Sequence, residues 1–107
     1  MYPIGYYRNM YTVLRSKEFD EWLSGLKDRA AKARIAARLI SVELGNFGDA
    51  QSVGDGISEL RFHFGPGYRV YYTLRGKVLV YVLGGGDKAT QKKDIAKAKA
   101  IARTIEE

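Results

Sequence analysis

The chain has 107 residues with no cysteine, one histidine, and eighteen Lys and Arg against twelve Asp and Glu, a formal charge of +6. That length bounds a single domain around one small core. The missing cysteines exclude a disulfide framework and any thiolate metal site, no apolar run is long enough to span a bilayer, and the positive balance favours an anionic partner such as nucleic acid, a phosphorylated ligand or an acidic protein.

Residues 1–9 carry three tyrosines, a proline and a glycine without any period, and are expected to form a loosely ordered lead-in with no apolar signal core. Met10–Leu14 is short and rich in β-formers, and predicts a first strand. Ser16 is a good N-cap for a helix from Lys17 to Ser24, whose first turn collects Glu18, Asp20 and Glu21 where the helix dipole favours them. Gly25 marks a break. A second helix is predicted over Asp28–Leu44, with an apolar stripe of Ala30, Ala33, Ala37, Ile40 and Leu44 widened by Ala36 and Leu39. Its alanines suggest a close antiparallel hairpin with the first helix. Asn46–Gly56, rich in Gly and Asp, reads as a loop.

Three strands follow. From Leu60 to Phe64 the apolar residues alternate, which puts Glu59, Arg61 and His63 on the opposite face. Gly65-Pro66-Gly67 is a turn, and Tyr68–Leu74 returns with Arg69, Tyr71 and Thr73 on one side. Val78–Leu83 is nearly all apolar, as expected of a central strand covered on both faces, and Gly84-Gly85-Gly86 is expected to end it. Thr90 then caps a last helix with Ile95, Ala98, Ala102 and Ile105 as its stripe. The order β-α-α-β-β-β-α, with helices segregated from a run of antiparallel strands, predicts an α+β fold in one domain over residues 1–107.

Gly56-Ile57-Ser58-Glu59-Leu60-Arg61, Gly65-Pro66-Gly67-Tyr68-Arg69-Val70-Tyr71-Tyr72, Gly85-Gly86-Asp87-Lys88, Gln91, Asp94-Ile95 and Ala98 together resemble the RelE/ParE superfamily of bacterial toxins, in its HigB-like, phage Gp49-like addiction-module-killer branch. The resemblance implies a small twisted antiparallel sheet with an N-terminal helical hairpin and a C-terminal helix. It implies a concave sheet face carrying basic catalytic residues, a cognate helix-turn-helix antitoxin as partner, and a place in the bacterial cytoplasm. The activity it implies is a metal-independent, ribosome-dependent mRNA endonuclease that inhibits translation. A ParE-like poison of DNA gyrase, and a basic nucleic-acid-binding module without catalysis, remain open beside it.

Cleavage by a 2′-hydroxyl needs a base for that hydroxyl, positive charge for the crowded phosphorane, and an acid for the leaving 5′-oxygen. By resemblance, Arg69 falls where RelE-like nucleases carry a phosphate-stabilising arginine, a role its planar fork suits; its alternative is an ion pair with Glu59 across the strands. Arg61 is open to the same two readings. Glu59 is a candidate base, although two neighbouring arginines favour an ion pair. His63 continues the row, either as a surface residue or as the natural acid or base near neutral pH. Lys88 follows a glycine-rich approach that would let backbone and phosphate come close, and related toxins carry basic residues near this point. Tyr71, sharing a face with Arg69, could stack on an RNA base. Lys92 and Lys93 either extend the basic surface toward RNA or are simply solvated. GGGDK lacks the spacing of a P-loop or a dinucleotide motif. One histidine without clustered carboxylates argues against a dedicated metal site, and no cofactor is expected. No Tyr or His follows Lys88, where several nuclease members carry one, so the acid step is unassigned.

Overall fold

The computed structural model describes residues 10–105; the lead-in expected at residues 1–9 lies outside them. Strand β1 (Thr12–Arg15) is followed by helices α1 (Lys17–Gly25) and α2 (Arg29–Glu43), strands β2 (Ala50–Gly54), β3 (Ile57–Arg61), β4 (Arg69–Arg75) and β5 (Leu79–Gly86), a short 3-10 turn at Lys88–Thr90, and helix α3 (Gln91–Ala102). The strands form one sheet in the order β1-β5-β4-β3-β2. β1 runs parallel to β5 and every other pair is antiparallel. The fold is α+β, and no described helix is long and apolar enough to cross a membrane.

The Ser16 cap is where the sequence put it, whereas Thr90, expected to cap the last helix, stands at the N-cap position of α3 without a side-chain cap bond. Ser16 accepts from the Phe19 amide at 3.0 Å and its own hydroxyl donates to the Leu83 carbonyl at 2.9 Å, so one residue starts α1 and moors it to β5. Asp28 accepts from the Ala31 amide at 3.1 Å and starts α2. Each helix packs chiefly on the sheet rather than on its neighbour: α1 lies against β5, α2 against β1, and α3 against β5 and β4.

Alternation along the strands feeds two cores. Leu60, Phe62, Val70, Tyr72, Val80 and Val82 meet Phe19 of α1 and Ala31, Ile35, Leu39 and Val42 of α2. On the other face Ile57, Tyr71 and Leu83 meet Ala98 and Ala102 of α3.

Three sequence expectations are corrected. The buried stripe of α2 is Ala31, Ile35, Leu39 and Val42; Ala30, Ala33 and Ala37 are exposed, as are Ile40 and Leu44. The expected stripe was mostly alanine. The sheet instead takes the helix face with the larger side chains, because burial stabilises in proportion to apolar area.

The second correction is β2, where a loop was expected. Ala50, Gln51 and Ser52 are exposed and have little intrinsic strand preference. They are a strand because β3 offers them an open edge, with Ala50 opposite Leu60 and Gln51 opposite Glu59. The legible signal was Asp55-Gly56: both residues sit at positive φ (55° and 76°), as a two-residue hairpin turn requires.

The third concerns the triple glycine, which belongs to β5 and pairs with Tyr71, Val70 and Arg69. A Cβ on Gly85 would run into the Trp22 ring, and one on Gly86 into the Asp94 carboxylate. These glycines admit α1 and α3 rather than a phosphate. Gly85→Ala should therefore lower the thermal midpoint by an amount matching about 1–3 kcal/mol of overpacking, read by circular dichroism, whereas Gly84, which has nothing within 4 Å of its missing Cβ, should tolerate Ala far better.

Candidate functional site

The tight connection between β3 and β4 builds the site. Gly65 and Gly67 take positive φ of 55° and 76°, and the Gly67 amide donates to the Phe64 carbonyl at 3.1 Å, closing the turn around Pro66. Phe64 props it from below, with its ring centroid 6.0 Å from Phe62 and 5.7 Å from Tyr68. The Asp87 carboxylate accepts from the amides of Ala89 and Thr90 at 2.9 and 3.2 Å and so starts the 3-10 turn. The Lys88 amide donates to the Pro66 carbonyl at 3.4 Å, which holds that turn beside the β3–β4 connection.

The result is a pocket of about 370 Å³ lined by Arg61, Phe62, His63, Phe64, Gly65, Pro66, Gly67, Arg69 and Lys88. Four of the residues singled out in the sequence meet here: Arg61, His63, Arg69 and Lys88. Three are permanent cations at neutral pH, and no carboxylate is among the lining residues. Such a concavity suits a phosphate.

Arg69 and Glu59 are both buried, at 5 % and 4 % exposure. The Arg69 Nε lies 3.8 Å from Glu59 Oε2, too far for a hydrogen bond, and Nη1 donates to the carbonyls of Gly67 and Tyr68 at 3.0 and 3.1 Å. Gln91 of α3 donates to Glu59 Oε1 at 2.8 Å. Glu59 therefore sits behind the pocket as a structural counter-charge, and the base role weighed for it finds no carboxylate in the lining. Arg69 reaches the wall only as a locked side chain.

Tyr71 is likewise corrected. It is fully buried under α3, and its hydroxyl has no hydrogen-bond partner. Burial foremost, with the charges of Glu59 and Asp94, raises its pKa above the ordinary phenol value. No RNA base can stack on it. Lys92 and Lys93 are exposed on α3 but line a separate shallow depression with Ala89, Thr90 and Ala96.

The structure adds residues that the sequence did not single out. Asp49 Oδ2 stands 2.5 Å from His63 Nε2 and 3.8 Å from Arg61 Nε. The hydrogen bond to His63, with the nearby charges of Arg61 and Arg38, depresses the pKa of the exposed Asp49 carboxyl. Gln51 of β2 accepts from Arg61 Nη1 at 2.5 Å. Neither Asp49 nor Gln51 carries a sequence signal, because both reach the site only through the pairing of β2 with β3. Among the described residues no three His, Cys, Asp or Glu side chains cluster as metal ligands.

The profile of the family described as phage-derived protein Gp49-like (DUF891) matches residues 21–105. A protein of Haemophilus influenzae described only as uncharacterized is 55 % identical over 87 residues, covering 81 % of this chain and 88 % of its own length. Among solved structures, a double arginine-to-alanine mutant of the Escherichia coli toxin RelE in its free state superposes with a TM-score of 0.67 at 17 % identity, covering 90 % of this chain and 99 % of that one.

Proposed function

The chain belongs to the phage-derived Gp49-like family, and from that membership, the shared RelE fold and the cationic pocket we propose that it is the toxin of a bacterial type II toxin–antitoxin module that cleaves mRNA on the ribosome. The observation that carries this reading is the convergence of Arg61, Arg69, Lys88 and His63 on one small pocket free of lining carboxylates. Arg61 and Lys88 supply charge to the phosphorane that forms as the 2′-oxygen attacks. Arg69, held from behind by Glu59, keeps the wall positive. No metal is needed for charge that three side chains already provide.

Ribosome dependence follows from what the pocket lacks. It is small, and the tyrosine that could have stacked a base is buried. A site that holds one phosphate and little else needs its RNA presented in a fixed geometry, which the decoding site supplies. The partner on this reading is a small helix-turn-helix antitoxin encoded beside the toxin, and the location is the bacterial cytoplasm.

The test is induced expression of the chain without a partner, with mRNA 5′ ends mapped across the transcriptome. Growth should stop, with cuts confined to translated regions and lost when initiation is blocked. Intact mRNA with gyrase-dependent DNA breaks would establish the gyrase reading instead. Cuts that persist without translation would remove the ribosome from the proposal.

A further inference from the structure

Three cations can stabilise a phosphorane, but none is suited to take the 2′-hydroxyl proton at neutral pH. Among the pocket-lining residues only His63 is of a type that serves as acid and base near neutral pH. We propose that Asp49 is a positioning residue that fixes His63 as the proton acceptor for RNA cleavage, an inference that rests on the nuclease reading above.

The geometry is specific about which nitrogen is free. Asp49 Oδ2 is 2.5 Å from Nε2, and an ionised carboxylate can only accept, so Nε2 carries the proton. Nδ1 is then the unprotonated nitrogen of the neutral ring. The His63 side chain is 65 % exposed, so a ligand in the pocket can reach it.

Asp49 is itself held by more than its own turn. The Arg61 amide donates to its carbonyl at 2.9 Å. Arg38 of α2 donates from Nε to the Phe47 carbonyl at 2.9 Å, from Nη2 to the Asp49 carbonyl at 2.9 Å, and from Nη1 to the Arg61 carbonyl at 3.1 Å. Its guanidinium also lies 4.8 Å over the Phe62 ring. One arginine therefore ties the segment bearing Asp49 to the strand end that leads to His63. The charged groups around His63 are Asp49 from the segment before β2, Arg61 from β3, Arg69 from β4 and Lys88 from the 3-10 turn; the carboxylate is the one anion among them, and it is in contact.

In the step itself Nδ1 takes the proton of the 2′-hydroxyl while the 2′-oxygen bonds to phosphorus. The bond from phosphorus to the 5′-oxygen breaks, and that oxygen takes a proton from water. The imidazolium, facing Asp49, then returns its proton to the hydroxide left behind. The products are a 2′,3′-cyclic phosphate and a 5′-hydroxyl, and the protein is unchanged.

A single histidine in the chain makes the tautomer readable by ¹⁵N NMR of histidine-labelled protein at mildly alkaline pH. The wild type should show a protonated Nε2 and a bare Nδ1, and Asp49→Ala should lose that bias. In a ribosomal A-site cleavage assay His63→Gln should lower kcat by about 10²-fold or more, and Asp49→Ala by on the order of 10-fold, each with KM little changed. The double variant should lose no more than His63→Gln alone, since Asp49 acts only through the ring. Wild-type cleavage by Asp49→Ala, an additive double variant, or an unbiased tautomer in the wild type would overturn the inference while leaving the nuclease reading standing. A wild type that cuts no A-site mRNA would overturn the nuclease reading and the proton transfer with it, while the tautomer would still report whether Asp49 orients the ring.

Discussion

Replacing Arg61 and Lys88 together by alanine should reduce ribosomal mRNA cleavage by about 10³-fold or more, taking on the order of 10²-fold for each preorganised donor to developing charge, and should leave the fold nearly untouched. Both side chains reach the pocket from rigid backbone. Arg61 ends β3, opposite Arg69 in register, and Lys88 opens a 3-10 turn fixed by the Asp87 carboxylate. Neither carries much stability. The Arg61–Asp49 pair is 3.8 Å apart with both side chains roughly a third or more exposed, an arrangement worth about 0–1 kcal/mol, and Lys88 is exposed. Thermal melts should thus nearly coincide while the cleavage rates separate. Equal loss of rate and stability would show that the pocket wall collapsed, and an unchanged rate would remove the pocket from the chemistry.

Arg69 should behave in the opposite way. Arg69→Ala leaves Glu59 buried with Gln91 as its remaining polar contact, and stranding a buried charge costs about 3–5 kcal/mol. For a domain of this size that corresponds to a fall on the order of 15 °C or more in Tm, a large share of the stability such domains have. Loss of toxicity in Arg69→Ala is therefore no evidence of a phosphate contact by itself. The pair Arg69→Met with Glu59→Gln separates the two roles, because it removes both charges and keeps an acceptor for Gln91. That double variant should recover most of the Tm. If Arg69 serves only to support the wall, it should also recover much of the cleavage rate. A double variant as stable as wild type but still inactive would make Arg69 a direct ligand of the phosphate.

The contrast between the two arginines shows where sequence reading stops. Alternation put Glu59, Arg61 and His63 in one row and Arg69 with Tyr71 in another, and the register sets Glu59 opposite Tyr71 and Arg61 opposite Arg69 on one face, while His63 follows the end of β3. It could not say which of them α3 covers. Gln91, Asp94 and Ala98 close over Glu59 and Tyr71, so the inner residues became structural while the outer ones remained accessible. Burial depends on where a helix more than twenty residues away in sequence comes to rest, and no local period encodes that.

What the sequence alone determined was local. The cap Ser16, the turn at Gly65-Pro66-Gly67, the apolar run of β5 and the α+β class follow from rules acting over a few residues, where side chains meet their own backbone. The tertiary structure decided which stripe of α2 faces the sheet, that Ala50–Gly54 is a strand, and that Gly85 and Gly86 make room for Trp22 and Asp94. It also decided that Asp49, fourteen residues before His63, is its partner. Each of these is settled by an energy shared between distant segments: apolar area offered by a sheet, an open strand edge, a steric contact, a carboxylate within reach of a ring. A single strand of text does not record which distant segments will share them.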